Sequence, residues 1–380
     1  MKHKETELNE LLKAIKPLNE EAMEKAKERQ NYLAKPPGSL GYLEDISIKL
    51  AGITGEVKNN VKKQAVVIMS ADNGVCEEGV ASAPQQVTMA QTINFTRRIT
   101  GVSSMAQYFD IDLLVIDMGV AMDIPKELYT DSMTVEEDGK LRITKGIVDR
   151  SLGKGTKNLF KEPAMTREQV IEAVFTGIDA VKAMKDCDIE LFGVGEMGIG
   201  NTTTSSTVLA ALTDLPAIDI VGRGGGLNDD GLAKKIEVVE KSAKNLSKDN
   251  PLDILSKVGG FDIAAMVGAF IGAALYRIPV VIDGFISANA ALVAKTICPS
   301  VTDFMFASHK SYEVGYMKTM KELNLKPMFS LGMRLGEGSG CPIAFKIIQA
   351  ATGTMNLMWT LEEASIDAGY LEEIRDKNLF

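Results

Sequence analysis

Glu190-Leu-Phe-Gly193-Val-Gly195-Glu196-Met-Gly198-Ile-Gly200-Asn201-Thr-Thr-Thr204 decides the fold. A short apolar run, Glu190–Val194, gives way to a glycine-rich turn, and a helix opens at its far end. Five more runs end in a polar or glycine-bearing turn: Ala65–Ser70, Leu113–Asp117, Ile218–Gly222, Pro279–Asp283 and Asp303–Ala307. Helix-like stretches lie between several of them. Runs that are continuously apolar rather than alternating suit parallel strands buried on both faces. The expected class is therefore α/β, a parallel Rossmann-like sheet flanked by helices with right-handed crossovers. Residues 122–165 break the pattern; they are polar and irregular, with a small hairpin expected around Glu136–Lys140.

Both ends of the chain read differently. Residues 5–30 place Leu8, Leu11, Leu12, Ile15, Ala22 and Ala26 at helical spacing, with a break near Pro17. Lys35–Leu40 is a loop, a further helix covers 41–52, and the chain turns helical again from Pro342. The expected organisation is a large α/β domain, 36–340, with a small helical domain built from 1–35 and 341–380.

At roughly 150 residues per domain, 380 residues allow two or three domains, or one large domain with an appendage. The 45% apolar and 24% charged content is that of a folded globular chain. A net charge of −9 argues against an electrostatic grip on nucleic acid, which needs clustered Lys and Arg. It leaves room for a small anion held by backbone amides and a few cations. Only two histidines occur, His3 and His309. That scarcity speaks against a histidine-built metal site, so no metal and no cofactor are expected, and a carboxylate is expected to move any proton. The four cysteines form no CxxC pair, which fits a reduced, cytoplasmic setting. The amino terminus lacks the apolar core of a signal peptide. The apolar run Ile263–Tyr276 is too short to span a bilayer, so no membrane partner is expected.

Asp72, Asp117, Glu196 and Asp283 stand at the ends of apolar runs, where open parallel sheets bind ligands. Helix capping is the structural alternative. Nine of the 34 glycines fall between Gly193 and Gly231, and four more between Gly332 and Gly340. The turn after Gly193 suits a phosphate or sugar, with Asn201 and Thr202 at a helix start. It lacks the Gly-Lys-Ser/Thr of a Walker loop. In Val221–Leu227, Arg223 faces an anion or solvent, and beyond it Lys234 or Lys235 either reaches a phosphate or belongs to a solvated helix face. In Leu331–Gly340, Glu337 is either a buried general base or the ion-pair partner of Arg334. The acidic pair Glu77-Glu78 reads as a solvated loop tip, and His309 as pocket lining or a structural histidine.

Seven strings occur in register: Lys35–Gly41, Ala71–Val80, Gly193–Thr203, Lys257–Asp262, Asp283–Ser287, Ser308-His309 and Arg334–Gly340. Together they resemble the nicotinate-nucleotide–dimethylbenzimidazole phosphoribosyltransferase family from about residue 20 to 355. The resemblance implies transfer of phosphoribose from nicotinate mononucleotide to 5,6-dimethylbenzimidazole or a related base. The product would be α-ribazole 5′-phosphate, the lower-ligand nucleotide of a cobamide. It also implies a homodimer. By motif match Glu337 is the catalytic base, with Glu196 expected to stabilise charge at C1′. The Glu196–Asn201 loop and Lys235 match positions near the nucleotide phosphate and ribose, Gln91 and Leu335 match the base pocket, and Gly198, Asn201, Thr202, Arg223, Asp262, Ser308 and Gly338 complete the expected substrate-binding set.

Four departures from the family pattern, Asn73, Ala83, Cys341 and the Gly224–Gly226 triplet, leave the acceptor open between benzimidazole, purine and phenol. A heterodimer with a homologous chain, a non-catalytic partner subunit and a diphosphate-dependent phosphoribosyltransferase are the competing readings. The last lacks a second acid beside Asp283 and a phosphate loop after it.

Overall fold

The computed structural model describes residues 2–367 and Gly369. Of the expected 341–380 segment, 368 and 370–380 lie outside the described residues. The chain begins with three helices, α1 (Lys2–Ala14), α2 (Glu20–Tyr32) and α3 (Tyr42–Thr54), then enters the sheet at β1 (Gln64–Ala71). Next come α4 (Gln86–Thr96), α5 (Gly101–Tyr108) and β2 (Asp112–Gly119). An excursion holds β3 (Tyr129–Thr130), β4 (Thr134–Glu137), β5 (Lys140–Ile143) and β6 (Ile147–Asp149). The long helix α6 (Arg167–Asp186) leads to β7 (Leu191–Met197), followed by α7 (Asn201–Thr213), α8 (Asp229–Ala243), α9 (Pro251–Val258) and α10 (Phe261–Tyr276). Then follow β8 (Val280–Ile282), α11 (Phe285–Ile297), β9 (Met305–His309), α12 (Tyr316–Leu323), β10 (Pro327–Phe329) and α13 (Cys341–Leu357).

Eight strands form one sheet in the order β10-β9-β8-β7-β1-β2-β6-β3, and every pair is parallel. The expected α/β class holds. Every residue of β1 and β7 is buried, as continuous apolar strands covered on both faces require. From β1 the chain winds outward through β2 on one side, then returns to build β7, β8, β9 and β10 on the other. The strand order therefore reverses between β1 and β7. Beyond the carboxyl ends of such a pair a crevice opens.

One expected strand is absent. Ile218–Gly222 instead contains a 3₁₀ turn, Ala217–Asp219, begun by Pro216, with Ile218 exposed. Proline fixes the φ that starts the turn and has no N–H to give a ladder. Conversely, β3, β6 and β10 were not expected; each is two or three residues long. The hairpin around Glu136–Lys140 is formed by β4 and β5.

The covering helices pack closely where glycine allows it. A Cβ on Gly177 of α6 would lie 1.9 Å from the Ala265 carbonyl, and one on Gly268 of α10 would lie 1.9 Å from that of Val174. This brings the two backbones into contact. Helix α10 is buried from Phe261 to Ala274, which accounts for its uninterrupted apolar sequence. Among the described residues no helix is long and apolar enough to cross a membrane. Ala22 and Ala26 of α2 pack with Ala51 of α3 and Met355 of α13 in a small separate core. Helix α3 joins this group although its residues fall within 36–340. A buried ion pair, Lys35 Nζ to Glu44 Oε1 at 2.7 Å, fixes the proline loop between α2 and α3.

Candidate active site

The crevice at the reversal of strand order holds a cavity of about 270 Å³. Its floor comes from the end of β7 and the start of α7, Glu196 to Thr202. One wall is Val80–Ala83 with Val87 and Gln91 of α4; the opposite one includes Asp283–Ser287, His309 and Ser311. Arg223, Gly224 and Gly225 border it at one side, and the Arg334–Glu337 loop closes over it.

That loop explains the glycines of β7. A Cβ on Gly195 would stand 2.5 Å from the Glu337 carbonyl oxygen, and one on Gly193 would stand 2.5 Å from the Cys341 sulfur. Gly193 and Gly195 thus seat the loop on the strand rather than approach a ligand. Gly198, which lines the cavity, also packs against β1, where its Cβ would meet the Ala71 carbonyl at 2.3 Å.

Glu337 is buried, with φ of +63° between Gly336 and Gly338 at +86° each. Its Oε1 accepts from Gln91 Nε2 at 3.1 Å and its Oε2 from the Val102 N–H at 3.2 Å, in the first turn of α5. Burial pushes its carboxyl above the ordinary range, opposed by these donors. Arg334 lies instead over the Tyr312 ring, 5.6 Å from its centroid, so the alternative pairing with Glu337 is not formed.

Beneath the loop stand three fully buried carboxyls. Burial lifts Glu196 to about 8, with Asp262 nearby adding to the effect. It lifts Asp262 and Asp283 to about 7 each. The Asn201 amide donates to both Glu196 Oε2 and Asp262 Oδ2, the latter at 3.0 Å. His309 is pushed down to about 4 by burial and is neutral at physiological pH.

At the start of α7, Lys235 Nζ donates to Thr202 Oγ1 at 2.9 Å and to the Gly222 carbonyl at 3.1 Å. Lys235 is wholly buried, and burial lowers its ammonium to about 8. A buried cation beside a helix N-terminus is an anion-binding arrangement. Lys234 turns away, to Glu237 at 3.4 Å and over the Phe160 ring. Arg223 borders the cavity but spends its guanidinium on Asp229 Oδ1 at 2.5 Å and the Leu227 carbonyl at 2.8 Å.

Of the expected site residues, Glu337, Glu196, Gln91, Gly198, Asn201, Thr202, Arg223 and Leu335 line the cavity. Lys235, Asp262, Ser308 and Gly338 stand just behind it, each bonded to a lining residue. Asp283, noted only as one of four acids at strand ends, lines it, and so does Glu313, which was not singled out. Asp283 carried a signal, its place at a strand end; Glu313 carried none. Of the four departures, Ala83 and the glycine triplet reach the cavity. Asn73 instead accepts from Thr204 Oγ1 at 2.8 Å behind α7, and Cys341 is buried under the loop. The Glu77-Glu78 pair is not a bare loop tip: Asn158 and Lys161 bind both acids. Among the described residues no group of three or more His, Cys, Asp or Glu side chains is arranged to hold a metal ion.

A buried carboxyl lining a switch-point crevice, with a buried cation behind its far side, is an arrangement suited to transferring part of a phosphorylated small molecule. The matching family model, described as phosphoribosyltransferase, spans residues 15–366. The nicotinate-nucleotide–dimethylbenzimidazole phosphoribosyltransferase of Clostridium perfringens (strain ATCC 13124) is 52% identical over 375 residues, covering 98% of this chain and 99% of the relative. The Acetivibrio thermocellus protein of the same name is 47% identical over 362 residues, covering 95% and 98%. The crystal structure of CobT from Thermus thermophilus superposes with a TM-score of 0.84 at 34% identity, covering 92% of this chain and all of that one. The chain belongs to the nicotinate-nucleotide–dimethylbenzimidazole phosphoribosyltransferase family, as its seven motifs implied.

Proposed function

We propose that this chain transfers the phosphoribosyl group of nicotinate mononucleotide to 5,6-dimethylbenzimidazole, giving α-ribazole 5′-phosphate and nicotinate for cobamide synthesis, with Glu337 as general base. The names of its relatives support the reaction. The observation that carries the mechanism is the Glu337 carboxyl, buried where it lines the cavity, with Gln91 Nε2 on Oε1 and the Val102 N–H on Oε2, donors that favour its ionised, proton-accepting form.

The phosphate docks at Lys235 and the first turn of α7, which places the ribose over Glu196 and Asn201. The benzimidazole gives its N–H proton to Glu337 while its other nitrogen attacks C1′. The C1′–N bond to the pyridinium breaks, and its electron pair neutralises the nicotinate ring. The leaving group therefore needs no acid. Attack from the face opposite nicotinate converts the β bond to α. Glu196 faces the positive charge that develops at C1′, and the cationic donor favours its ionised form. Gln91 and Leu335 line the acceptor end. The working unit is a homodimer, supported by the exposed apolar side chains Tyr312, Val314, Leu331 and Leu335, the last of which lines the cavity. Four unpaired cysteines support a cytoplasmic setting.

Glu337→Gln tests the mechanism. Turnover with nicotinate mononucleotide and dimethylbenzimidazole should fall on the order of 10²–10⁴, the range for a lost general base. Near-normal turnover would remove Glu337 from that role.

A further inference from the structure

A glutamate at φ +63° carries about 1–3 kcal/mol of strain and keeps that conformation only where its surroundings hold it. Its glycine neighbours have no side chains with which to do so. What holds this loop lies across the sheet. Asp283, immediately after β8, accepts the Gly338 N–H on Oδ2 at 3.1 Å and the Gly340 N–H on Oδ1 at 2.7 Å. One carboxylate thus straddles the backbone just beyond Glu337.

Asp283 is itself fixed. It is 2% exposed, and Ser308 Oγ of β9 donates to its carbonyl at 2.8 Å. The loop rests directly on this platform: a Cβ at Gly340 would lie 2.3 Å from His309 Nδ1 and 2.6 Å from Ser308 Oγ. Buried backbone N–H groups without such an acceptor are costly, so the loop has a strong preference for this one seat.

We propose that Asp283 is a positioning residue for the transfer reaction, acting through the Gly338 and Gly340 N–H groups to hold the Glu337 carboxylate at the acceptor. This rests on Glu337 being the base. It assigns Asp283 no contact with the reacting atoms, although Asp283 lines the cavity.

Asp283→Asn keeps the shape and one acceptor but turns the other oxygen into a donor aimed at an N–H. Asp283→Ala removes both acceptors. Each should lower kcat by about 10–10², the effect of a displaced catalytic group, while calorimetric affinity for nicotinate mononucleotide stays at the native value. The decisive measurement is a double-mutant cycle with Glu337→Gln. If Asp283 acts through Glu337, replacing it in the Glu337→Gln background costs far less than in the native one, the small remainder being its effect on the neighbouring Glu196 carboxyl. Additive losses overturn the proposal, because Asp283 would then act on the reaction by its own route. So does loss of cooperative thermal unfolding in both Asp283 variants, which would make the carboxylate a support of the whole domain. The Glu337→Gln single variant keeps the two readings apart. Near-normal turnover there removes the base and this role with it, whereas a slow Glu337→Gln enzyme with additive Asp283 losses removes this role alone.

Discussion

Glu337 and Glu196 face one cavity under opposite local conditions. Glu337 meets donors from two elements, the amide of Gln91 on α4 and the Val102 N–H of α5, which temper the effect of burial. Glu196 meets the Asn201 amide but also two neighbouring acids, Asp262 and Asp283, and its carboxyl rises to about 8. A carboxyl whose folded pKa exceeds the unfolded one favours folding while protonated. That contribution is whole below about pH 4.5 and is lost as the pH climbs through about 8. Glu196→Gln keeps an acceptor for Asn201 and carries no charge. It should therefore be more stable than the native protein by about 1–3 kcal/mol at pH 9, with the gap closing at pH 5. Equal melting temperatures at pH 9 would show that Glu196 is not held up in this way. Glu337 was legible in the sequence because a lone acid among four glycines stands out. The role of Asp283 was not, because its partners are backbone N–H groups 55 and 57 residues further on.

Glycines that look alike in the sequence do different work in different elements. On β7, Gly195 faces the backbone of the Glu337 loop; on α10, Gly268 faces the backbone of α6. Gly195→Ala forces the loop away from the strand, and a shift near 1 Å in a catalytic group costs on the order of 10² in rate. Gly268→Ala gains about 1 kcal/mol of helix propensity but drives a methyl into the Val174 carbonyl, and overpacking of about 1–3 kcal/mol outweighs it. The expected contrast is a Gly195→Ala enzyme that loses kcat, and a Gly268→Ala enzyme that loses melting temperature while kcat holds. The reverse pattern would mean the loop is not seated by β7. Element type was readable where burial on both faces left long apolar runs, as in β1 and β7. It was unreadable for β3, β6 and β10, whose two or three residues carry no period. At Ile218–Gly222 the apolar side chains suggest a strand, but Pro216 before them starts a 3₁₀ turn.

The whole molecule combines a sheet whose order reverses beneath the cavity with exposed apolar side chains in and beside the 311–335 segment of an acidic chain. Tyr312 is 72% exposed, Leu331 64% and Leu335 59%, and Leu335 also lines the cavity. Scattered exposed leucines need no explanation, but an exposed apolar residue on the cavity lining with others nearby in sequence is the pattern expected of an interaction surface. A second copy of the chain is the simplest cover, because one self-complementary patch closes a two-fold dimer with nothing left over. Light scattering at micromolar concentration should then give twice the 41.0 kDa chain mass. Leu331→Asp, outside the catalytic loop contacts, should return the mass to one chain. It should also lower kcat/KM, since an uncovered surface admits water to a site whose carboxyls are tuned by burial. A native chain that scatters as a single 41.0 kDa particle at full activity would place the complete site within one subunit.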